Sequence, residues 1–85
     1  MSHPRKVLDA VLRANADANI RFDDLCRLVL ALGFRQRIKG SHHIFWREGI
    51  PDIVNLQPRS DGKAKPYQVK QVRRLVTRHH LELRT

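Results

Sequence analysis

Two histidines stand side by side in KGSHHIF, residues 39–45, after a glycine and at the head of an apolar run. Three kinds of chemistry are open to them: packing in a core, ligating a metal ion, or moving protons in a reaction. Neighbouring side chains on a strand point to opposite faces, so His42 and His43 cannot both enter a core. Nor can both ligate one ion without distorting the strand, and no set of nearby carboxylates stands ready to complete a site. One of the pair should therefore face outward, among arginines and lysines. A free imidazole has a pKa near ~6.5, well matched to proton transfer at neutral pH. Amid cations that attract phosphate, its natural task is to take the proton from a ribose 2′-OH. The alkoxide then attacks the adjacent phosphodiester without a metal. General-base help of this kind is worth roughly 10²–10⁴ in rate, and neighbouring Lys or Arg would stabilise the phosphorane charge.

The charge distribution supports a polyanionic partner. Seventeen Lys and Arg against eight Asp and Glu give the 85-residue chain a net +9. Residues 1–32 hold five basic and four acidic side chains, whereas residues 33–85 hold twelve and four, a net of +8. A field so concentrated favours binding that weakens steeply with salt. The alternative is a merely solvated basic surface. An anionic membrane is the weaker option, since no basic amphipathic helix with a wide aromatic face is present. Two lysines in Gly62–Lys63–Ala64–Lys65 precede Pro66, where helix amides also point outward, a candidate phosphate site or a solubilising loop. Lys70, Arg74 and Arg78 repeat at i, i+4, i+8 and predict a basic ridge. Trp46 and Tyr67 could stack bases, or be ordinary half-buried aromatics.

Other sites are excluded or weak. There is no Gly-rich phosphate loop, no usefully spaced carboxylate pair and no nucleophile motif. Cys26 is the sole cysteine, which rules out an intrachain disulfide and a Cys-rich zinc site. Between Leu25 and Leu28 it reads as a buried thiol. No stretch has the apolar length of a membrane span and no apolar signal core opens the chain, so a reducing cytoplasm is the expected home.

The elements that must position these residues follow from periodicity. The length fits one domain, residues 1–85, with a helical extension at 1–20 and a core at 21–85. Pro4 to Asn15 predicts a helix whose apolar face is Val7, Leu8, Val11 and Leu12, broken at Asn15–Asn19. Phe22 to Leu32 predicts a second, with Leu25, Leu28, Val29 and Leu32 inward and Gly33 as its left-handed stop. Residues 34–39 alternate, with Phe34 and Ile38 on one face and Arg35, Arg37 and Lys39 on the other. A turn at Gly40 leads into a strand at Ser41–Arg47. Glu48–Gly49 turns the chain into a third strand, Ile50–Gln57, followed by a polar loop. Pro66 to His79 predicts the last helix, with Val69, Val72, Leu75 and Val76 inward. The order α–α–β–β–β–α predicts an α+β two-layer sandwich over a three-stranded antiparallel sheet.

LGF at 32–34, followed by KGSHHIF at 39–45, resembles the signature of the HicA (YcfA-like) toxin family. NLQP at 55–58 and AKPYQVKQVR at 64–73 resemble one branch of it that also carries an extra N-terminal helix. The resemblance implies a double-stranded-RNA-binding-like α-β-β-β-α fold. It also implies a small mRNA interferase held inactive by a HicB antitoxin, with no cofactor. The essential histidine of the family's G-S-H motif maps onto His42, after Gly40 and Ser41. Lys39, Gly40, Ser41, His43, Lys63, Lys65, Lys70 and Arg74 are then candidates for substrate contact, His43 either orienting substrate or simply packing. Ile44 and Trp46, on the His42 side of their strand, are candidate anchors for the antitoxin. Two readings from other classes stand beside the nuclease: a non-catalytic RNA-binding module on the same sandwich, and a purely structural domain.

Overall fold

Pro4 opens the first helix, where its missing N–H costs nothing. The computed structural model describes residues 2–84. In it α1 spans Pro4–Arg13, and the His3 ring caps it by accepting the Arg5 N–H at 3.1 Å. Ala14 takes a left-handed φ of 60° and stops the helix two residues short of the expected Asn15. Val7, Leu8 and Val11 are buried as expected; Leu12 is 43% exposed, because the inward face of so short a helix closes at Val11. A single 3₁₀ turn, Asp17–Asn19, fills the expected break.

Helix α2, Phe22–Ala31, carries Asp23 and Asp24 in its first turn, where the exposed N–H groups favour acidic side chains. Leu25, Leu28, Val29 and Leu32 are fully buried. Gly33, at φ +95°, makes the left-handed exit that a side chain would strain. Arg47 reaches across to donate to the Leu32 carbonyl at 2.9 Å, satisfying one of the orphan acceptors at that helix end.

Three strands follow as an antiparallel sheet in the order β1-β2-β3: Arg35–Lys39, His42–Arg47 and Ile50–Leu56. Phe34, Phe45, Val54 and Leu56 are buried beneath the helices. Ile38 shares the face of Phe34 by alternation but is 56% exposed, since it lies at the far end of β1. Helix α3, Pro66–His79, buries Val69, Val72, Leu75 and Val76 as the periodicity requires. Helices α2 and α3 pack on the sheet, and α1 packs on both helices. One continuous apolar core links the three helices with β2 and β3, and the architecture is α+β with the order α-β-β-β-α behind an extra N-terminal helix.

Candidate active site

The hairpin between β1 and β2 builds the site. Lys39 pairs with His42, so Gly40 and Ser41 form a two-residue turn. Gly40 has φ +61° and Ser41 does not share the positive φ, the arrangement of a turn that wants glycine first. The turn thus delivers His42 as the first residue of β2, directly across from Lys39, with the Gly40 backbone open to close approach.

The two histidines separate by strand alternation. His42 is exposed on the uncovered face of the sheet. His43 turns to the helical layer and is half-buried, its ring meeting Phe22 edge-on at 4.8 Å between centroids and 80° between planes. Its Nδ1 lies 3.3 Å from Oε1 of Gln36, where Nδ1–H donates and the amide oxygen accepts. The adjacent rings therefore share neither solvent nor partners. Among the described residues, no group of three His, Cys, Asp or Glu side chains converges as a metal site.

Carboxamides at the end of β3 and just beyond it flank the exposed ring. The register pairing His43 with Leu56 carries Gln57 to the place opposite His42 and Asn55 to the diagonal. Oδ1 of Asn55 lies 3.3 Å from Nδ1 of His42. The Gln57 side-chain nitrogen lies 2.8 Å from Nε2 and 3.2 Å from Nδ1, and its oxygen accepts from Lys65 Nζ at 3.1 Å. Behind them, the buried amide of Gln68 on α3 accepts the Gln57 backbone N–H at 3.0 Å and donates to the Asn55 carbonyl at 3.1 Å. A helix side chain thereby completes the hydrogen bonding of the strand end that presents Asn55 and Gln57.

The cations divide between structure and surface. Arg27 pairs with Asp24, Arg59 with Asp61, Arg73 with Asp17 and Arg78 with Asp52. Arg35, Arg37 and Lys39 are exposed in a row on β1 and, among the described residues, enter no ion pair; their strand partners are Trp46, Ile44 and His42. The uncovered sheet face is thus a cationic row beside His42, Ile44 and Trp46. Ile53 joins the last two around a shallow hollow of about 230 Å³ with Arg37. A larger hollow of about 400 Å³ lies between α1 and the start of α2, apart from this face.

Of the residues expected at the site, the fold gathers Lys39, Gly40, Ser41, His42 and Lys65, and sets Ile44 and Trp46 on the same face. Lys63 sits in the loop, its Nζ donating to Asn19 Oδ1 at 3.3 Å. Lys70 and Arg74 are exposed on α3, and Arg74 lines a hollow with Asp52 and Val54 of β3 rather than joining the His42 cluster. Arg78 belongs to the same ridge but leans to Asp52 at 3.4 Å. Asn55, Gln57 and Gln68 went unassigned by sequence reasoning. The signal was available: alternation through β3 puts Asn55 and Gln57 on the His42 side once the Glu48–Gly49 turn sets the register.

Residues 22–77 match the family model described as the HicA toxin of bacterial toxin–antitoxin. The chain belongs to the HicA toxin family. No curated protein and no solved structure matches it. The HicA segment takes in α2, the whole sheet and α3 to Thr77, and with them every residue of the His42 cluster. Helix α1 and the 3₁₀ turn stand outside it as an addition to the HicA core. As a HicA toxin the protein is one half of a toxin–antitoxin pair, which gives it an antitoxin partner. No helix among the described residues is long and apolar enough to cross a membrane.

Proposed function

We propose that this HicA toxin is an endoribonuclease that cuts mRNA without a metal ion, with His42 as general base, and that a HicB-type antitoxin silences it. The observation that carries the proposal is the exposed His42 ring, flanked by Asn55 and Gln57 and set across from Lys39 on an uncovered cationic face. The ring takes the proton from a 2′-OH, O2′ bonds to the adjacent phosphorus, and the P–O5′ bond breaks. The products are a 2′,3′-cyclic phosphate and a 5′-hydroxyl end, the latter taking its proton from Lys39 or water. His43 is on the wrong face to supply it, and we assign it to packing. Lys39 and Lys65 hold the scissile phosphate, with Gly40 and Ser41 offering an open backbone. Lys63, Lys70 and Arg74 contact more distant phosphates as the strand wraps the domain. Ile44 and Trp46, extended by Ile53, anchor the antitoxin. An mRNA target places the toxin in the cytoplasm.

The test is cleavage of a long transcript by the purified chain, with and without chelator. Cleavage by wild type that persists in chelator, and its loss in His42→Ala with folding and RNA binding retained, is the expected outcome. Undiminished cutting by His42→Ala refutes the assignment. A second reading, a non-catalytic RNA-binding module, draws on the Lys70–Arg74 ridge, which works equally well without His42. It predicts salt-sensitive binding, no fragments and indifference to His42.

A further inference from the structure

Arg35, Arg37 and Lys39 stand on one face of β1, two residues apart and so about 7 Å from one to the next. That spacing lies inside the Debye length at physiological salt, about 8 Å, and like charges held there repel. Among the described residues no carboxylate comes within ion-pair distance of any of the three, although Arg27, Arg59, Arg73 and Arg78 each have one. A row left without counter-charges is set for an anion that carries its own charges in a line. Register gives each cation a different neighbour on β2: Lys39 faces His42, Arg37 faces Ile44 and Arg35 faces Trp46. The row therefore starts at the proposed catalytic ring and runs away from it beside an apolar strip. Trp46 is 37% exposed, and Ile53 shares its hollow at 63%. Phe45, Val54 and Leu56 face the helices, so row and strip lie open together on the other side.

We infer that this face binds single-stranded RNA, with Lys39, Arg37 and Arg35 on successive phosphates leading away from the scissile one and Trp46 stacking a base. The place of the scissile phosphate rests on the reading of His42 as the base; the path and the strandedness do not. An extended nucleotide chain has a phosphate repeat close to the spacing of the row, so one strand can lie along β1 in step with it. Strandedness follows from the apolar strip. A duplex turns its bases inward and would lay only sugar and phosphate here, leaving the indole and two isoleucines against water. An unpaired strand turns its bases out, and a base on Trp46 covers that surface while its phosphate meets Arg35. The antitoxin proposed to anchor in the same hollow then silences the toxin by taking the place of a base.

Trp46 is the sole tryptophan, so intrinsic fluorescence reports on this one position. The probe is a short unstructured 2′-O-methyl RNA, which lacks the hydroxyl that cleavage needs, compared with the same strand annealed to its complement. The single strand should quench Trp46 as it binds; the duplex should bind more weakly and leave the emission unchanged. Arg35→Gln and Arg37→Gln, both at exposed positions, should each lower the slope of log K against log salt by about 0.7, the single-strand figure for one phosphate. Trp46→Ala should weaken binding roughly 5–150-fold, the scale of one lost base stack, read by anisotropy of a labelled strand. Should that variant fail to fold, quenching of the wild type still decides. Emission unmoved at saturation, or equal quenching by the duplex, overturns the inference. Slopes unchanged in both arginine variants do so too, and leave the row the lesser task of keeping edge strand β1 from pairing with other chains. Wild type that binds in this way yet leaves ordinary RNA uncut overturns the base reading and spares the path.

Discussion

Arg73 on α3 grips Asp17 with two parallel bonds, Nη1 to Oδ1 and Nη2 to Oδ2, each 3.0 Å long. The same Nη1 also donates to the Val11 carbonyl at 2.9 Å, so one guanidinium ties the end of α1, the 3₁₀ turn and α3 together. Both side chains are largely shielded from water. The bond from Arg73 holds the Asp17 carboxyl below its ordinary 3.8. A carboxylate with a depressed value adds stability that is fully present above 3.8 and lost as pH falls through the lower, folded value. Asp17→Asn should cost about 1–3 kcal/mol at pH 7, the range for bonds to a charged group. The gap between wild type and variant should close as the pH drops below 3.8. Urea unfolding midpoints of both chains across an acid series check this; a gap independent of pH speaks against it.

His43 should behave as a packing residue. His43→Ala removes the edge contact with Phe22 and the bond to Gln36, and should lower stability by about 1–2 kcal/mol. Cleavage by the folded fraction should stay within a few-fold of wild type. Thermal unfolding and cleavage measured on one preparation separate this from a catalytic role, which would cost activity at unchanged stability.

Cys26 should be chemically silent. Burial, reinforced by the charge of Asp23, pushes its thiol up to about 12, leaving almost no thiolate at neutral pH. Iodoacetamide at pH 8 should fail to label the native chain and label it fully in denaturant. Rapid native labelling would show an open site at α2.

RNA affinity should fall with ionic strength, and single substitutions should report which cations meet phosphate. Lys39→Gln should reduce the slope of log K against log salt by roughly one ion, and Lys65→Gln likewise. Applied to Lys70 and Arg74, the same measurement tests the distant contact. Slopes unchanged at those positions would confine the RNA path to the sheet face.

The apolar hollow on the sheet should serve the antitoxin. Trp46→Ala, or Ile53→Asp at a side chain 63% exposed, should weaken the complex by about 2 kcal/mol or more, as hot-spot truncation does. Titration calorimetry with the purified antitoxin reads the loss. Unchanged affinity in both variants would move the interface elsewhere.

Apolar periodicity made the fold legible almost throughout. Val69, Val72, Leu75 and Val76 predicted α3 to its terminal residues, because one helical stripe fits one period. At element ends burial departs from phase: Leu12 and Ile38 lie on the expected faces yet are exposed, because periodicity does not say where the opposing layer stops. At the site, His42, Lys39 and the Gly40–Ser41 turn were readable because they adjoin in sequence. The amide cluster was not, because Asn55 and Gln57 reach His42 only through strand register, and Lys65 and Gln68 reach those two residues only through the loop and helix docking. Net charge also misleads at single positions: Arg47 and Arg73 count toward the basic excess, yet are spent on a helix cap and a strap.

The opposite orientation of His42 and His43 gives two neighbouring codons different masters. Position 43 answers to the packing demands of Phe22 and can drift toward any residue of similar bulk that suits the interior. On the proposed reading, position 42 answers to a substrate and to the partner chain that would hide it. A lineage that has lost its antitoxin should therefore carry its first inactivating changes at 42, leaving 43 intact and the protein still able to fold.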